Sequence, residues 1–322
     1  MKTKILLTGA CGQIGSELTL ALREMYGGEN VIASDIVEPG LKLKKSGPFE
    51  FIDCTNFNRI AKIVKSNGIR TIYHLAAILS AAGEANPQLA WKVNIDGLYN
   101  VMEIARQNRC DVFAASSPAV FGPNVPKDDT PQDVPLRPTN IYGVTKVAGE
   151  LLCDYYHLRY GLDTRGLRFS GVISYETIPQ GGITDYAVEM CYEAIKKKKY
   201  TCFLRSGTYL PFMYIKDAIK AAINVMEADP KRLIHRNAYN VTAVCFEPEM
   251  VAAEIRKDIP DFVLDYKVDS VRQGIADSGT RGMDDTAARE EWGWNHAYDL
   301  PAMVKDMLEN ICKKLNSPVE TA

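Results

Sequence analysis

A glycine-spaced turn near the start of the chain constrains its fold more than any other segment. A short apolar run at residues 5–7, typical of a buried strand, leads into Gly9-x-x-Gly12-x-x-Gly15. The following residues have the spacing of an amphipathic helix. In such a strand–turn–helix unit, glycines allow a tight turn, close approach of the backbone to a pyrophosphate and close helix packing. The helix N-terminus also attracts anions. The segment therefore predicts a dinucleotide-binding loop formed by Gly9, Gly12, Gln13, Ile14 and Gly15.

An acidic residue follows at the distance that this type of loop requires. Asp35 ends a second apolar run, about 20 residues after Gly15. A carboxylate there accepts hydrogen bonds from the adenosine ribose and repels a 2′-phosphate. Between Ala10 and Ile14 there is no Arg or Lys that would attract that phosphate. We therefore predict NAD rather than NADP; an ordinary strand-end turn is the alternative interpretation of Asp35.

Strands and helices alternate along the first half of the chain. Apolar runs predict strands at residues 49–53, 69–75 and 112–114, with helices from about Asn56 to Asn67 and onward from Pro87. This alternation predicts an α/β fold with a doubly wound parallel (Rossmann) sheet. Ligands in that fold bind at the carboxyl ends of strands. We expect residues 1–173 to form the NAD-binding domain and residues 174–322 a smaller, mainly C-terminal substrate lobe, with some segments returning to the sheet. The strand-end candidates are Gly9, Asp35, Asp53, Ala76 and Ser117.

Composition argues against several classes of function. The 322 residues carry a net charge of −2, which gives no sign of a nucleic-acid partner. No apolar run reaches membrane-spanning length, and the first strand begins too close to Met1 for a preceding signal peptide. The eight cysteines are scattered without a Cys-x-x-Cys pair, and there are only four histidines. This pattern favours reduced thiols and argues against a zinc site. We expect a cytoplasmic, metal-independent protein without membrane or nucleic-acid partners.

A tyrosine and a lysine form the main catalytic candidate. Tyr142 and Lys146 are four residues apart, which places them on one face of a predicted helix. A free tyrosine has a pKa of about 10, too high for a good base near neutrality. A nearby ammonium favours the phenolate, so we expect Lys146 to lower the pKa of Tyr142. Ser117, at the end of the fifth predicted strand, can hydrogen-bond the same substrate oxygen. An ordinary surface pair on a helix is the alternative interpretation of Tyr142 and Lys146.

These motifs together resemble the extended short-chain dehydrogenase/reductase family. The segments that carry the resemblance are Gly9-x-x-Gly12-x-x-Gly15, Asp35, Asp53, His74-Leu-Ala-Ala77, Asn94-x-x-Gly97, Ser116-Ser117-x-Ala-Val-Phe-Gly122, Tyr142-x-x-x-Lys146 and Phe212-Met-Tyr-Ile-x-Asp217. The resemblance implies that Tyr142 is the general base and that Lys146 also holds the nicotinamide ribose. It further implies that Asp53 lies near the adenine, and that the cofactor cleft includes Leu75, Ala76, Ala77 and Asn94.

Within that family, the chain is similar to the group of short-chain-type L-threonine 3-dehydrogenases. The segments that carry this likeness are Leu79-Ser-Ala-Ala-Gly-Glu84, Gly181-Gly-Ile-Thr-Asp-Tyr-Ala187 and Asp284-Asp285-x-x-Ala-Arg-x-x-Trp-Gly-Trp294. The likeness implies NAD-dependent oxidation of the L-threonine β-hydroxyl to 2-amino-3-oxobutyrate, with Ser117 orienting that hydroxyl. It implies that Ser80 and Thr184 hold the carboxylate and ammonium of the substrate, in a lobe that includes Gly182.

One segment departs from the pattern of that group. Residues 279–282 read Gly-Thr-Arg-Gly, where the group usually shows Trp-Pro and a second Ser. Because glycine widens backbone freedom, we expect this loop to be loosely packed.

Three other functions remain open at this stage. The first is that of a nucleotide-sugar epimerase or dehydratase, which would share Tyr142, Lys146 and the glycine loop. The second is reduction of another small hydroxy compound. The third is an NAD-binding regulatory protein without catalysis.

The resemblance also implies a homodimer formed through the helices that bear Asn94 and Tyr142. The residues that would serve either this interface or core packing are Leu151, Leu152, Tyr155 and Leu158.

Overall fold

A computed structural model describes residues 3–176 and 182–316. Its strands in chain order are β1 (Ile5–Thr8), β2 (Val31–Asp35), β3 (Phe49–Phe51), β4 (Thr71–His74), β5 (Asp111–Ser116), β6 (Thr164–Phe169), β7 (Gly171–Ile173), β8 (Lys199–Cys202), β9 (Leu210–Tyr214), β10 (Tyr239–Val241), β11 (Val244–Phe246) and β12 (Val263–Tyr266). Its α-helices are α1 (Gln13–Tyr26), α2 (Leu41–Lys45), α3 (Phe57–Asn67), α4 (Ser80–Ala85), α5 (Pro87–Trp91), α6 (Gly97–Asn108), α7 (Ile141–Tyr160), α8 (Tyr186–Lys197), α9 (Ile215–Glu227), α10 (Pro248–Asp258), α11 (Ser270–Ser278), α12 (Thr286–Trp292) and α13 (Leu300–Asn316).

The central element is a seven-stranded sheet in the order β10-β6-β5-β4-β1-β2-β3. Every neighbouring pair in it is parallel. The order reverses at β1, which lies between β4 and β2. This architecture confirms the predicted doubly wound α/β fold, and the crevice beside β1 is where such folds bind ligands.

Each face of the sheet is covered by its own hydrophobic core. Leu6 belongs to one core with residues of α3, α6 and α7, whereas Leu7 belongs to the other with residues of α1 and α9. Because successive side chains of a strand point to opposite faces, β1 supplies both cores and is buried along its whole length. The strand before the glycine loop is therefore held rigidly.

The later part of the chain adds two small sheets and returns one strand to the large one. The small sheets have the orders β11-β9-β7 and β12-β8, while β10 pairs with β6 at the edge of the large sheet. The division of the chain at residue 173 remains a prediction. No described helix is both long and apolar enough to cross a membrane.

Local signals place several element ends where the sequence predicts them. Asn56 caps α3 through the backbone N–H of Arg59, and Gly68 ends the helix in the left-handed region. The helix that begins at Pro87 is capped by Asn86 and runs from α5 through a π-helical turn, residues 92–96, into α6. Such π turns are frequent at functional sites, and this one contains Asn94.

The expectation of loose packing at residues 279–282 is wrong. The backbone N–H groups of Arg281 and Gly282 donate to the carbonyl of Lys127 at 2.8 and 3.1 Å. Thr280 is only 4% exposed, and the Arg281 guanidinium pairs with Asp128 at 2.6 and 2.5 Å. A distant segment therefore supplies the contacts that the local glycines do not.

Candidate active site

The glycine loop is packed against the end of the neighbouring strand. Gly9 has a positive φ of 78°, and a Cβ on it would lie 2.6 Å from the backbone nitrogen of Ala76. A Cβ on Gly15 would lie 2.0 Å from the Gly9 carbonyl oxygen, so helix α1 approaches the turn more closely than any side chain permits. Gly12 is exposed at the tip of the loop. The first and third glycines thus shape the loop, and the middle one is open to solvent.

The start of α1 and the end of β2 suit a dinucleotide. Helix α1 begins without a side-chain cap, so its first N–H groups are available to a pyrophosphate. The Asp35 carboxylate accepts the backbone N–H of Cys11 at 2.9 Å, which fixes it beside the loop. The Gln13 side chain donates to the Val172 carbonyl at 3.2 Å, and Ile14 packs against the core. The residues present therefore fit NAD.

The other predicted cofactor residues lie along the same edge. Asp53 is exposed, and its carboxylate accepts the backbone N–H and hydroxyl of Thr55 at 2.8 Å each. Leu75, Ala76 and Ala77 follow β4 and are partly exposed. Their roles toward NAD remain predictions.

Asn94 secures the segment after β4. Its side-chain amide accepts the Ile78 N–H at 2.7 Å and donates to the Ile78 carbonyl and the Thr145 hydroxyl at 3.0 Å each. Asn94 is therefore occupied by contacts that tie the loop after β4 to helix α7. Direct binding of NAD by this side chain remains a prediction.

Tyr142, Ser117 and Lys146 come together at the end of β5. Asn140 caps α7 at its start, which places Tyr142 in the first turn of the helix. The Ser117 hydroxyl lies near the Tyr142 hydroxyl, whose pKa it acts to lower, and accepts the Ala119 N–H at 3.2 Å. The Lys146 ammonium lies 5.5 Å from the centre of the Tyr142 ring and donates to the Ala115 carbonyl at 2.7 Å. The predicted grouping of these three residues is present.

The expected lowering of the Tyr142 pKa by Lys146 is wrong for this structure. Burial raises the pKa of Tyr142 to about 12, although the hydrogen bond with Ser117 acts in the opposite direction. Burial also lowers the pKa of Lys146 to about 8. The Lys146 ammonium lies over the Tyr142 ring, but the loss of water around the phenol has the larger effect on the pKa of Tyr142.

A buried ion pair below Lys146 was not among the sequence-based candidates. Glu150 accepts two hydrogen bonds from the Arg168 guanidinium, at 2.9 and 2.8 Å. The Ser116 hydroxyl donates to the same carboxylate at 2.5 Å. One signal does exist in the sequence: Glu150 follows Lys146 at the same interval that separates Lys146 from Tyr142, so the three share a helix face. Its partner on β6 is not visible from that spacing.

The predicted substrate residues come from two different elements. Ser80 begins α4, whose Glu84 carboxylate accepts the Ile141 N–H at 2.7 Å beside Tyr142. Gly182 and Thr184 precede α8, and Gly181 lies outside the described residues. Thr184 packs at the start of β7, where its methyl group would meet a Cβ on Gly171 at 2.6 Å. That Ser80, Gly182 and Thr184 contact the same substrate molecule remains a prediction.

Comparisons with known proteins show which family and which folds this chain resembles. The model of the NAD dependent epimerase/dehydratase family matches residues 5–242. An uncharacterized epimerase/dehydratase of Staphylococcus haemolyticus is 50% identical over 97% of this chain and 98% of its own length. Among solved structures, an L-threonine dehydrogenase from Clostridium difficile is 52% identical with a TM-score of 0.95, covering 97% of this chain and 98% of its own. A monomeric L-threonine 3-dehydrogenase from a metagenome is 45% identical with a TM-score of 0.92, covering 97% and 100%.

Proposed function

The chain belongs to the NAD dependent epimerase/dehydratase family, and within it we propose that the protein oxidises the β-hydroxyl of L-threonine with NAD. The product is 2-amino-3-oxobutyrate. The observation that carries this proposal is the Ser117–Tyr142–Lys146 group at the end of β5, within a chain 52% identical to the Clostridium difficile L-threonine dehydrogenase. NAD accepts the hydride; the side chains bind the substrate and move its proton.

Tyr142 is the general base in this proposal, and Ser117 orients the reacting hydroxyl. The phenolate of Tyr142 takes the hydroxyl proton, while the Ser117 hydroxyl, which lies near Tyr142, holds the substrate oxygen beside it. Because the pKa of Tyr142 is about 12, only a small fraction is phenolate near neutrality. The positive charge of Lys146 stabilises the phenolate as Tyr142 loses its own proton. The Lys146 side chain also holds the nicotinamide ribose in this proposal.

Ser80 and Thr184 bind the amino-acid end of the substrate in this proposal. Both are hydroxyl residues, which can donate to a carboxylate and accept from an ammonium. Helix α4 brings Ser80 toward Tyr142 through the contact between Glu84 and Ile141. Gly182 donates its N–H to Asp185 at 2.7 Å, which shapes the turn before Thr184.

The decisive experiment measures NADH formation when the protein is mixed with NAD and L-threonine. D-threonine and L-serine serve as matched controls, because one changes the stereochemistry and the other lacks the β-methyl group. We expect NADH with L-threonine and much less with either control. A nucleotide-sugar epimerase would instead convert a UDP-sugar without net NADH. No NADH from L-threonine with folded, NAD-binding protein would contradict the proposal.

We also propose a homodimer formed through α6 and α7. Leu151, Tyr155 and Leu158 form an exposed stripe on α7, with Leu158 83% exposed, whereas Leu152 packs against the core. The stripe therefore does not serve core packing. The metagenome relative is described as monomeric, so the oligomeric state needs its own test. Light scattering after gel filtration should give twice the chain mass and, for Leu158→Asp, the single chain mass. A monomeric wild-type protein would refute the dimer.

A further inference from the structure

A small cavity with both polar and apolar walls lies beside Lys146. Its volume is about 30 Å³, enough for one water molecule. Lys146, Glu150, Ser116, His74 and Asn237 contribute to its wall. These residues offer the two to four polar partners that a buried water requires, whereas cavities without such partners stay empty.

An unpartnered buried oxygen points to an occupant. Asn237 is only 3% exposed, and its Oδ1 atom has no hydrogen-bond partner among the described residues. Its Nδ2 atom donates to Asp154 at 2.7 Å, so the amide orientation is fixed from the other side. A buried carbonyl oxygen without a partner costs about 1–3 kcal/mol. A water molecule in the cavity would remove that cost and still have hydrogen bonds to offer.

Glu150 supplies the negative charge that faces this cavity. Among the described titratable residues of its wall, burial lowers the pKa of His74 to about 3 and raises that of the Cys153 thiol, so both are neutral near pH 7. Tyr142, on the other side of Lys146, is neutral as well because its pKa is about 12. The other polar side chains of the wall are uncharged: Asn94, Ser116, Thr145 and Asn237. Two charged groups outside the wall have partners of their own, because Asp154 accepts from Asn237 and Arg168 pairs with Glu150.

The position of Glu150 is fixed from two strands. Arg168 on β6 holds both carboxylate oxygens, and Ser116 on β5 holds one of them. The carboxylate is therefore held by Arg168 and Ser116, while Lys146 donates to the Ala115 carbonyl, and the described residues show no direct ion pair between Glu150 and Lys146. Burial lowers the pKa of Lys146 to about 8, and the charge of Glu150 raises it in opposition.

We propose that the cavity binds one water molecule that links the Lys146 ammonium to the Glu150 carboxylate, making Glu150 a positioning residue that keeps Lys146 charged. The inference rests on the proposed function, in which that charge assists Tyr142. Glu150 touches neither substrate nor cofactor. Its effect on the reaction passes through Lys146.

The test is a titration of Lys146 by NMR of protein labelled at the lysine side chains, with Lys146→Met identifying its signal. The wild type should titrate near pH 8. Glu150→Gln should titrate about one unit lower, because a nearby opposite charge is lost. Ser116→Ala is the matched control: it removes a hydrogen bond from Glu150 but no charge, and should titrate as the wild type does. An unchanged Lys146 titration in folded Glu150→Gln would overturn the inference.

A second variant covers the risk that Glu150→Gln does not fold with Arg168 left unpaired. Glu150→Gln/Arg168→Met removes both charges of the buried pair, an exchange that proteins often tolerate. Its Lys146 titration should also shift downward, but by less than in Glu150→Gln, because losing the Arg168 charge removes a repulsion of the ammonium. A high-resolution crystal structure should show the cavity water beside Asn237, and its absence would overturn the link. These readouts need neither NAD nor threonine, so a failed threonine assay refutes the proposed function without deciding this inference.

Discussion

Replacing Tyr142 with Phe separates the chemistry of the site from its stability. The change keeps the ring and its packing and removes only the hydroxyl, which lies near Ser117. If Tyr142 is the base, turnover with L-threonine should fall about 10²–10⁴-fold, equivalent to about 2.7–5.5 kcal/mol of transition-state stabilisation. NAD binding should survive, because the glycine loop and Asp35 are untouched.

The structural cost of the same change is much smaller. One hydrogen bond contributes about 0.5–1.5 kcal/mol to stability, and the Ser117 hydroxyl keeps its bond from the Ala119 N–H at 3.2 Å. The loss of turnover therefore exceeds what a weakened fold can explain. Steady-state kinetics with NAD and L-threonine, together with urea unfolding of both proteins, measure the two quantities.

Tyr156→Phe is the matched control on the same helix. It also removes a hydrogen-bonded hydroxyl, the one that donates to Glu103 at 2.6 Å, but it lies in the core that α6 and α7 share. It should lose at least as much stability, because its hydrogen bond is to a charged group, and keep its turnover. The assignment of Tyr142 as the base is refuted if Tyr142→Phe oxidises threonine at near the wild-type rate, or if both variants lose turnover equally.

Three further predictions concern cofactor choice and pH. Asp35→Ser should raise kcat/KM with NADP relative to NAD, because the repulsion of the 2′-phosphate disappears; a native preference for NADP would refute this role. Turnover should rise with pH up to about 8, as the phenolate fraction of Tyr142 grows, and level off or fall where Lys146 loses its proton; a flat profile from pH 6 to 8 would count against both assignments. The pKa of His74 lies near 3, below its usual 6.5, so the unfolded chain binds a proton that the fold excludes. As the pH decreases below 6.5, this group should therefore lower the free energy of unfolding by at most about 1.4 kcal/mol per pH unit. His74→Asn should flatten that slope in urea titrations.

The sequence alone was enough to predict the fold and the main parts of the site, because both depend on local periodicity. Strand β1, the glycine turn and α1 follow one another within a short segment, and each has a recognisable spacing. Asn56 and Gly68 mark the ends of α3 through capping geometry that a few neighbouring residues decide. Tyr142 and Lys146 share a face because helical spacing requires it.

The tertiary structure decided what depends on residues far apart in the chain. Glu150, Arg168 and Ser116 come from α7, β6 and β5, and only the folded sheet brings them behind Lys146. The loop at residues 279–282 is packed through contacts from Lys127 and Asp128, which no local pattern reveals.

The protonation of the site was likewise decided by the fold. The spacing of Tyr142 and Lys146 predicted a lowered tyrosine pKa, yet burial raises it to about 12. Spacing along a helix determines which side chains are neighbours, whereas the loss of water around them depends on every element that packs over the site. That packing controls the pKa of Tyr142, because losing part of the surrounding water destabilises the phenolate more than the neutral phenol.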